Sequence, residues 1–264
     1  MKRPIALLLG AVALLGLSSA ARAGSELDQR HTLAAGSLPA IGLLTIGNTH
    51  CTGFLAGTDR AVVTAAHCVF KRDGQITQER IDFLPNYRAG NSAGVYRARV
   101  IATGGYHPPA NQQEADQSTA DDWAILLTEK PTGILPLPLM SDTPLSLLAD
   151  KPVAAVGYSA DLENGRFLTE DTACSVIRAQ DLRIDHGCRG SDGGPLFLLN
   201  DDGSRGPIIG VITSSALTSP SERLVISNLL ALARVRGMPE VDFGGHAAFV
   251  GAFLNATKVM AANR

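Results

Sequence analysis

Three residue types that together perform acyl transfer, a histidine, a carboxylate and a serine, stand in distinctive settings in this 264-residue chain. His67 ends the small-residue run 61–66 (AVVTAA) and precedes Cys68. Asp122 stands just before Trp123 and the apolar run that follows it. Ser191 and Asp192 share the glycine-rich stretch 188–195 (CRGSDGGP). A serine hydroxyl that hands its proton to an imidazole can attack a carbonyl. A carboxylate behind the imidazole fixes its tautomer, and backbone N–H groups hold the developing oxyanion. A carboxylate in the serine's place has no proton to give, and as a second negative neighbour it would raise the histidine pKa. Taken singly, each residue also has a plain reading as a packed histidine, a loop-end carboxylate or a polar loop.

Such groups need a rigid frame to hold them. With 45% hydrophobic and 18% charged residues, the chain lies outside the disordered classes. Short β-rich runs bounded by Gly, Pro, Asn or Asp recur at 41–46, 52–55, 61–64, 95–101, 123–128, 153–158, 195–199 and 208–213, an all-β pattern. The proline-rich stretch 130–152 reads as an extended connector between two β units. Residues 111–121 (NQQEADQSTAD) read as a long polar surface loop delivering its last residues to the strand at Trp123. Phe249, Val250, Phe253 and Leu254 fall at helical spacing and predict an amphipathic helix over 246–259. Segment 227–237 fits a short helix or a strand equally well.

Residues 1–23 read as a secretory signal: Lys2 and Arg3, an apolar run over 5–17, and a small-x-small cleavage site at Ala21-Arg22-Ala23. The mature protein is therefore expected to be secreted or periplasmic, and later runs fall short of the roughly 20 apolar residues of a membrane span. The net charge of −2 and the lack of a basic run argue against nucleic-acid or membrane partners. Export permits disulfides. Of the three pairings open to Cys51, Cys68, Cys174 and Cys188, short spacing favours 51–68 and 174–188. Each pair would close a loop of about 15 residues, worth roughly 3 kcal/mol. A metal site with His50, His67 and His186 would lack C-x-x-C or H-x-x-H spacing, so no metal is expected. Phosphate-loop, dinucleotide and calcium-loop patterns do not occur, so no cofactor is expected either.

The segments 51–57 (CTGFLAG) and 61–69 (AVVTAAHCV) resemble the first-barrel signature of trypsin-like, chymotrypsin-fold serine proteases, in the form of the bacterial secreted V8-like, glutamyl-endopeptidase branch. Asp122-Trp123-Ala124-Ile125-Leu126 resembles the family's aspartate motif, and the order His, Asp, Ser matches as well. The resemblance runs from about Pro39 to Ser215 and includes Val156-Gly157-Tyr158 and 168–174. It implies two six-stranded antiparallel β-barrels, about 33–130 and 150–245, with the C-terminal helix 246–259 packed on one face. It also implies a catalytic set of His67, Asp122 and Ser191, an oxyanion hole from the backbone of Gly190 and Asp192, and a strand at Thr213 or Ser214 that pairs with the substrate backbone. The partner would be a protein or peptide substrate and the enzyme a monomer.

One departure from the family matters. Where the family reads GDSGGP this chain reads GSDGGP, so counting back from Gly193-Gly194-Pro195 puts Asp192, not Ser191, at the nucleophile position. Two accounts follow. Either the loop is re-registered so that Ser191 reaches His67 and the protein is a secreted serine endopeptidase with an acyl-enzyme mechanism, or it has lost hydrolysis and keeps the cleft as a binding module. Asp185 and His186, near the expected pocket base, suit basic and acidic side chains respectively, and neither is assigned. Family members often use a freed N-terminal amine, and Arg30 offers a cleavage point. The carboxylate that would receive the amine is replaced here by Ser191. A secreted β-protein unrelated to proteases is the third class.

Overall fold

The computed structural model describes residues 28–111, 114, 117–141, 143–214 and 245–257; the expected leader 1–23 and segment 227–237 lie outside them. After a two-residue strand β1 (His31–Thr32), six strands follow: β2 (Ile41–Ile46), β3 (Thr49–Leu55), β4 (Ala61–Thr64), β5 (Ile81–Pro85), β6 (Tyr96–Thr103) and β7 (Ala124–Thr128). They close into a barrel in the order β2-β3-β4-β7-β6-β5. A further six are β8 (Pro152–Gly157), β9 (Thr169–Gln180), β10 (Arg183–His186), β11 (Pro195–Leu199), β12 (Arg205–Ser214) and β13 (Gly245–Phe249). These run β9-β10-β13-β12-β11-β8, and the β8–β9 pairing closes a second barrel. Every pairing in both barrels is antiparallel.

Strands β2, β4 and β7 of the first barrel are apolar on both faces because both faces are covered. Leu44, Leu55, Val62 and Leu126 join one core cluster with Phe83. Their alternating neighbours Leu43, Phe54, Val63 and Ile125 pack instead with the second barrel's Val153, Val156 and Leu196. The period of two along each strand thus sorts residues between a barrel interior and the contact between barrels. The connector stitches the two together: Leu137 N–H donates to Leu55 O at 2.8 Å and Met140 N–H to Ile208 O at 2.9 Å.

Besides the two-residue β1, four strands differ from the sequence expectation. β5, β9 and β10 lie where no run was read, and β9 (TEDTACSVIRAQ) is polar along most of its length. The helix expected over 246–259 begins instead as strand: residues 245–249 form β13, Val250–Ala252 form a 3₁₀ turn, and only 254–257 are α-helical among the described residues. Ala247 and Ala248, both fully buried, pair with Ile212 and Val211 of β12 and with Ile184 and Arg183 of β10. Tertiary pairing overrides the helical periodicity there. The polar loop ends in a 3₁₀ turn, Thr119–Asp121, rather than running irregularly to the strand. No helix among the described residues is long and apolar enough to cross a membrane.

β1 ties the N-terminal segment to β9, with His31 opposite Glu170 and Thr32 opposite Thr169. Beside it the Arg30 guanidinium, 3% exposed, binds Asp28 through Nε at 2.9 Å and Asp161 through Nη1 at 2.9 Å. The side chain proposed from sequence as a cleavage point is therefore an internal clamp. Arg30→Ala removes a buried guanidinium from Asp28 and from the largely exposed Asp161 and is expected to lower unfolding stability by about 0.5–1.5 kcal/mol in urea titrations; unchanged stability would show that the clamp contributes nothing.

Candidate functional site

His67 lies in a single 3₁₀ turn, Ala66–Cys68, that leaves β4. Ala65 and Ala66 are fully buried, and a larger side chain at either would push the turn off the barrel. A disulfide between Cys51 and Cys68 anchors the turn to β3, and a second joins Cys174 to Cys188, so both pairings favoured by spacing are present. Since Cys51 and Cys68 are bonded to each other, their proximity to His67 supplies no thiolate ligand.

Asp122 caps the Thr119–Asp121 turn, its N–H donating to Thr119 O at 3.2 Å. That turn aims the carboxylate at the His67 turn. Oδ1 accepts from the His67 backbone N–H at 2.8 Å and Oδ2 meets Nδ1 at 2.8 Å, so one carboxylate grips both backbone and ring. The grip puts the proton on Nδ1 and aims Nε2 away from Asp122. Nε2 lies 3.5 Å from Oδ2 of Asp192. Burial works against charging this imidazole, but the charge and hydrogen bond of Asp122, then those of Asp192, outweigh it and raise the His67 pKa to about 10. At neutral pH His67 is an imidazolium between two carboxylates.

Ser191 is not brought to His67. Its Oγ is buried, donates to Tyr158 O at 2.8 Å and accepts from Thr52 Oγ1 at 3.0 Å. The Thr52 hydroxyl also accepts from Tyr158 N–H at 2.9 Å. This small network crosses from the first barrel to the second and sets the loop's register, so the re-registered loop that would deliver Ser191 to His67 is not the conformation adopted. Thr52 N–H donates to Asp192 O at 2.9 Å, and Gly193 N–H to Ile212 O at 2.8 Å, pinning the loop on either side of the Asp192 side chain. Gly193, at φ +81°, has no room for a side chain: a Cβ there would lie 2.2 Å from Thr52 O and from Thr64 Oγ1. A Cβ on Gly157 would lie 2.6 Å from that of Ser191. Sequence reasoning missed Thr52 and Tyr158. The available signal was a threonine within the apolar strand β3, where a buried hydroxyl requires a partner.

Gly190, Ser191, Asp192, Thr213 and Ser214 line one open cavity of about 410 Å³ at the nucleophile loop. The expected oxyanion residues and the expected substrate-pairing strand therefore border the same space. The hydroxyls of the last two are engaged with β13: Thr213 Oγ1 donates to His246 O at 3.1 Å, and Ser214 Oγ accepts from His246 N–H at 3.1 Å. Asp185 is buried, bound by Arg178, Arg183 and His246. Despite the opposing effect of burial, these partners hold its carboxyl well below the usual range. His186 is fully buried and its Nδ1 accepts from Cys188 N–H at 3.2 Å. Neither side chain is free to read a substrate.

Residues 51–211 match the family described as the trypsin-like peptidase domain. The chain belongs to that family. No curated protein sequence matches it. Among solved structures it is similar to the thermostable serine protease AL20 from an extremophilic microorganism, at 17% identity and TM-score 0.59 over 86% of this chain and 99% of that one. It is also similar to the protease Anisep from Arthrobacter nicotinovorans, at 16% identity and TM-score 0.61 over 89% and 100% of the two chains. A Glu endopeptidase complexed with MPD gives 17% identity and TM-score 0.55 over 77% and 97%. At these identities the structural likeness speaks for the chymotrypsin-like fold alone.

Two outcomes follow from this trypsin-like site. Ser191→Ala leaves the Thr52 hydroxyl and the Tyr158 carbonyl without their buried partner and is expected to cost about 1–3 kcal/mol of stability in chemical denaturation. No loss would mean the serine is not held in this network. The His67 pKa lies above its ordinary value of 6.5, so the protonated ring stabilises the fold fully below about pH 6.5, and that stabilisation fades as pH rises toward 10. In an NMR titration of the His67 ring, Asp192→Asn should move the midpoint downward; an unmoved midpoint would contradict the placement of Asp192.

Proposed function

We propose that this chain is an exported trypsin-like protein that binds extended peptides in its cleft without hydrolysing them through a serine. The observation that carries the reading is that Asp192 faces His67 Nε2 while Ser191 Oγ is committed to Thr52 and Tyr158. A carboxylate cannot yield a proton to His67, and an already protonated His67 cannot accept one. Acylation of a serine therefore lacks both its donor and its base. The cleft keeps what recognition needs: the cavity beside Gly190, and Thr213 and Ser214 at the end of β12, where a peptide backbone can add as a strand. The partner is a protein or peptide, taken up by a monomer. The leader at 1–23 and the two disulfides support a secreted or periplasmic setting.

The intact His67–Asp122 pair favours a second reading, a secreted serine endopeptidase working through His67, Asp122 and Ser191. That reading requires Ser191 to leave two buried hydrogen bonds and Asp192 to vacate the face of Nε2. Peptide hydrolysis by wild type, Asp192→Ser and His67→Ala decides between them. Asp192→Ser places a hydroxyl where the carboxylate stands and leaves Ser191 in its network. It is expected to exceed wild type on the order of 10³-fold, since loss of a triad member costs that much or more. Wild-type hydrolysis that disappears in His67→Ala would overturn the non-hydrolytic reading in favour of the endopeptidase.

A further inference from the structure

Replacing a hydroxyl by a carboxylate at position 192 gives His67 something a serine does not, an anionic oxygen donor beside its own Nε2. Nε2 of His67 and Oδ2 of Asp192 are 3.5 Å apart. Two ligands of a tetrahedral zinc ion, each about 2.0–2.1 Å from the metal, stand about 3.4 Å from one another. The pair therefore already has the bite of a metal chelate. A separate feature points the same way: Nδ1 of His67 is bound by Asp122 Oδ2 at 2.8 Å, the carboxylate–histidine arrangement that commonly backs a metal-ligating imidazole. It settles the tautomer with the proton on Nδ1, leaves Nε2 as the ligating atom and holds the ring plane. The ring is held further by the Asp122 contact to its own backbone N–H and by the adjacent disulfide. The Asp192 side chain is 49% exposed, so positions opposite the protein open onto the cleft.

We propose that His67 Nε2 and Asp192 Oδ2 bind a divalent transition-metal ion of the zinc class, with the remaining coordination positions open to water or to a donor atom of whatever occupies the cleft. One imidazole and one carboxylate suit a borderline ion such as zinc better than calcium or magnesium, which take oxygen donors almost throughout. Binding displaces the proton between the two side chains, so affinity falls as pH is lowered. With two protein ligands the affinity is below that of three-ligand zinc enzymes, and a bound peptide that donates a third ligand would raise it. A metal here would let the cleft discriminate among peptides by their metal-binding side chains, a form of recognition that a serine at this position would not provide. The inference shares with the non-hydrolytic reading the placement of Asp192 beside His67.

Equilibrium dialysis of the full mature protein against zinc chloride at pH 7.5, together with visible absorption of the cobalt(II) form, tests it. One equivalent of zinc is expected, with intense cobalt bands of a four-coordinate site. His67→Ala and Asp192→Asn should each weaken binding at least 10-fold, and Asp122→Asn should weaken it while keeping the stoichiometry. His107→Ala, at a histidine outside the site, should leave it unchanged. Near-ultraviolet circular dichroism shows whether each variant is folded; should His67→Ala not fold, Asp192→Asn and Asp192→Ser carry the test. Zinc held equally well without Asp192 would place the ion on other surface groups and overturn the proposal, as would no binding up to millimolar zinc. If wild type neither binds zinc nor cleaves peptide, only this inference fails; if it cleaves peptide through Ser191, the non-hydrolytic reading fails instead.

Discussion

The Ser191 hydroxyl, wedged between Thr52 Oγ1 and Tyr158 O, determines which residue of the glycine-rich loop faces the histidine. Moving the loop by one residue would break both of these buried bonds and the backbone bonds of Thr52, Gly193 and Gly194 that flank them. Each broken buried bond costs about 1–3 kcal/mol when its partner is left unsatisfied. The substitution pattern is thus self-consistent. A small hydroxyl occupies a site with one donor, Thr52 Oγ1, and one acceptor, Tyr158 O, while the carboxylate occupies the half-exposed position beside a cationic ring. Exchanging the two would bury a charge and put a hydroxyl beside His67 Nε2.

From that constraint follows the electrostatic character of the cleft. In an active serine protease the imidazole must be neutral when substrate arrives. Here Asp122, with Asp192 adding a smaller share, outweighs the opposing effect of burial and raises the His67 pKa to about 10. The protease scaffold is otherwise retained: the disulfide-pinned histidine turn, the Asp122 grip, and the cavity bordered by β12 and the loop at Gly190. What changes is the chemistry available at one atom position.

Much of this was legible in the chain. Strands β2, β4 and β11 match runs read from alternation and turn residues, because both their faces pack against apolar neighbours. Both disulfides follow from spacing, and the His67–Asp122 contact from local motifs that each occupy one turn. β9 escaped because it is polar along most of its length even where it is buried, at Thr169, Glu170 and Asp171, so no apolar alternation marks it. β13 escaped because its small residues fit helix and strand alike until β10 and β12 flank it. The position of Ser191 was beyond local reading for a different reason. It depends on a threonine 139 positions away and on a carbonyl of another loop, and no short motif encodes contacts of that kind.

The most direct test is labelling of the purified, oxidised protein with a fluorophosphonate, followed by peptide mapping, since such a reagent reports only a serine activated by a neutral base. With Ser191 buried and His67 cationic, no label is expected on any residue of segment 188–195. A label on Ser191 that depends on His67 would contradict the account and return the protein to the active serine proteases.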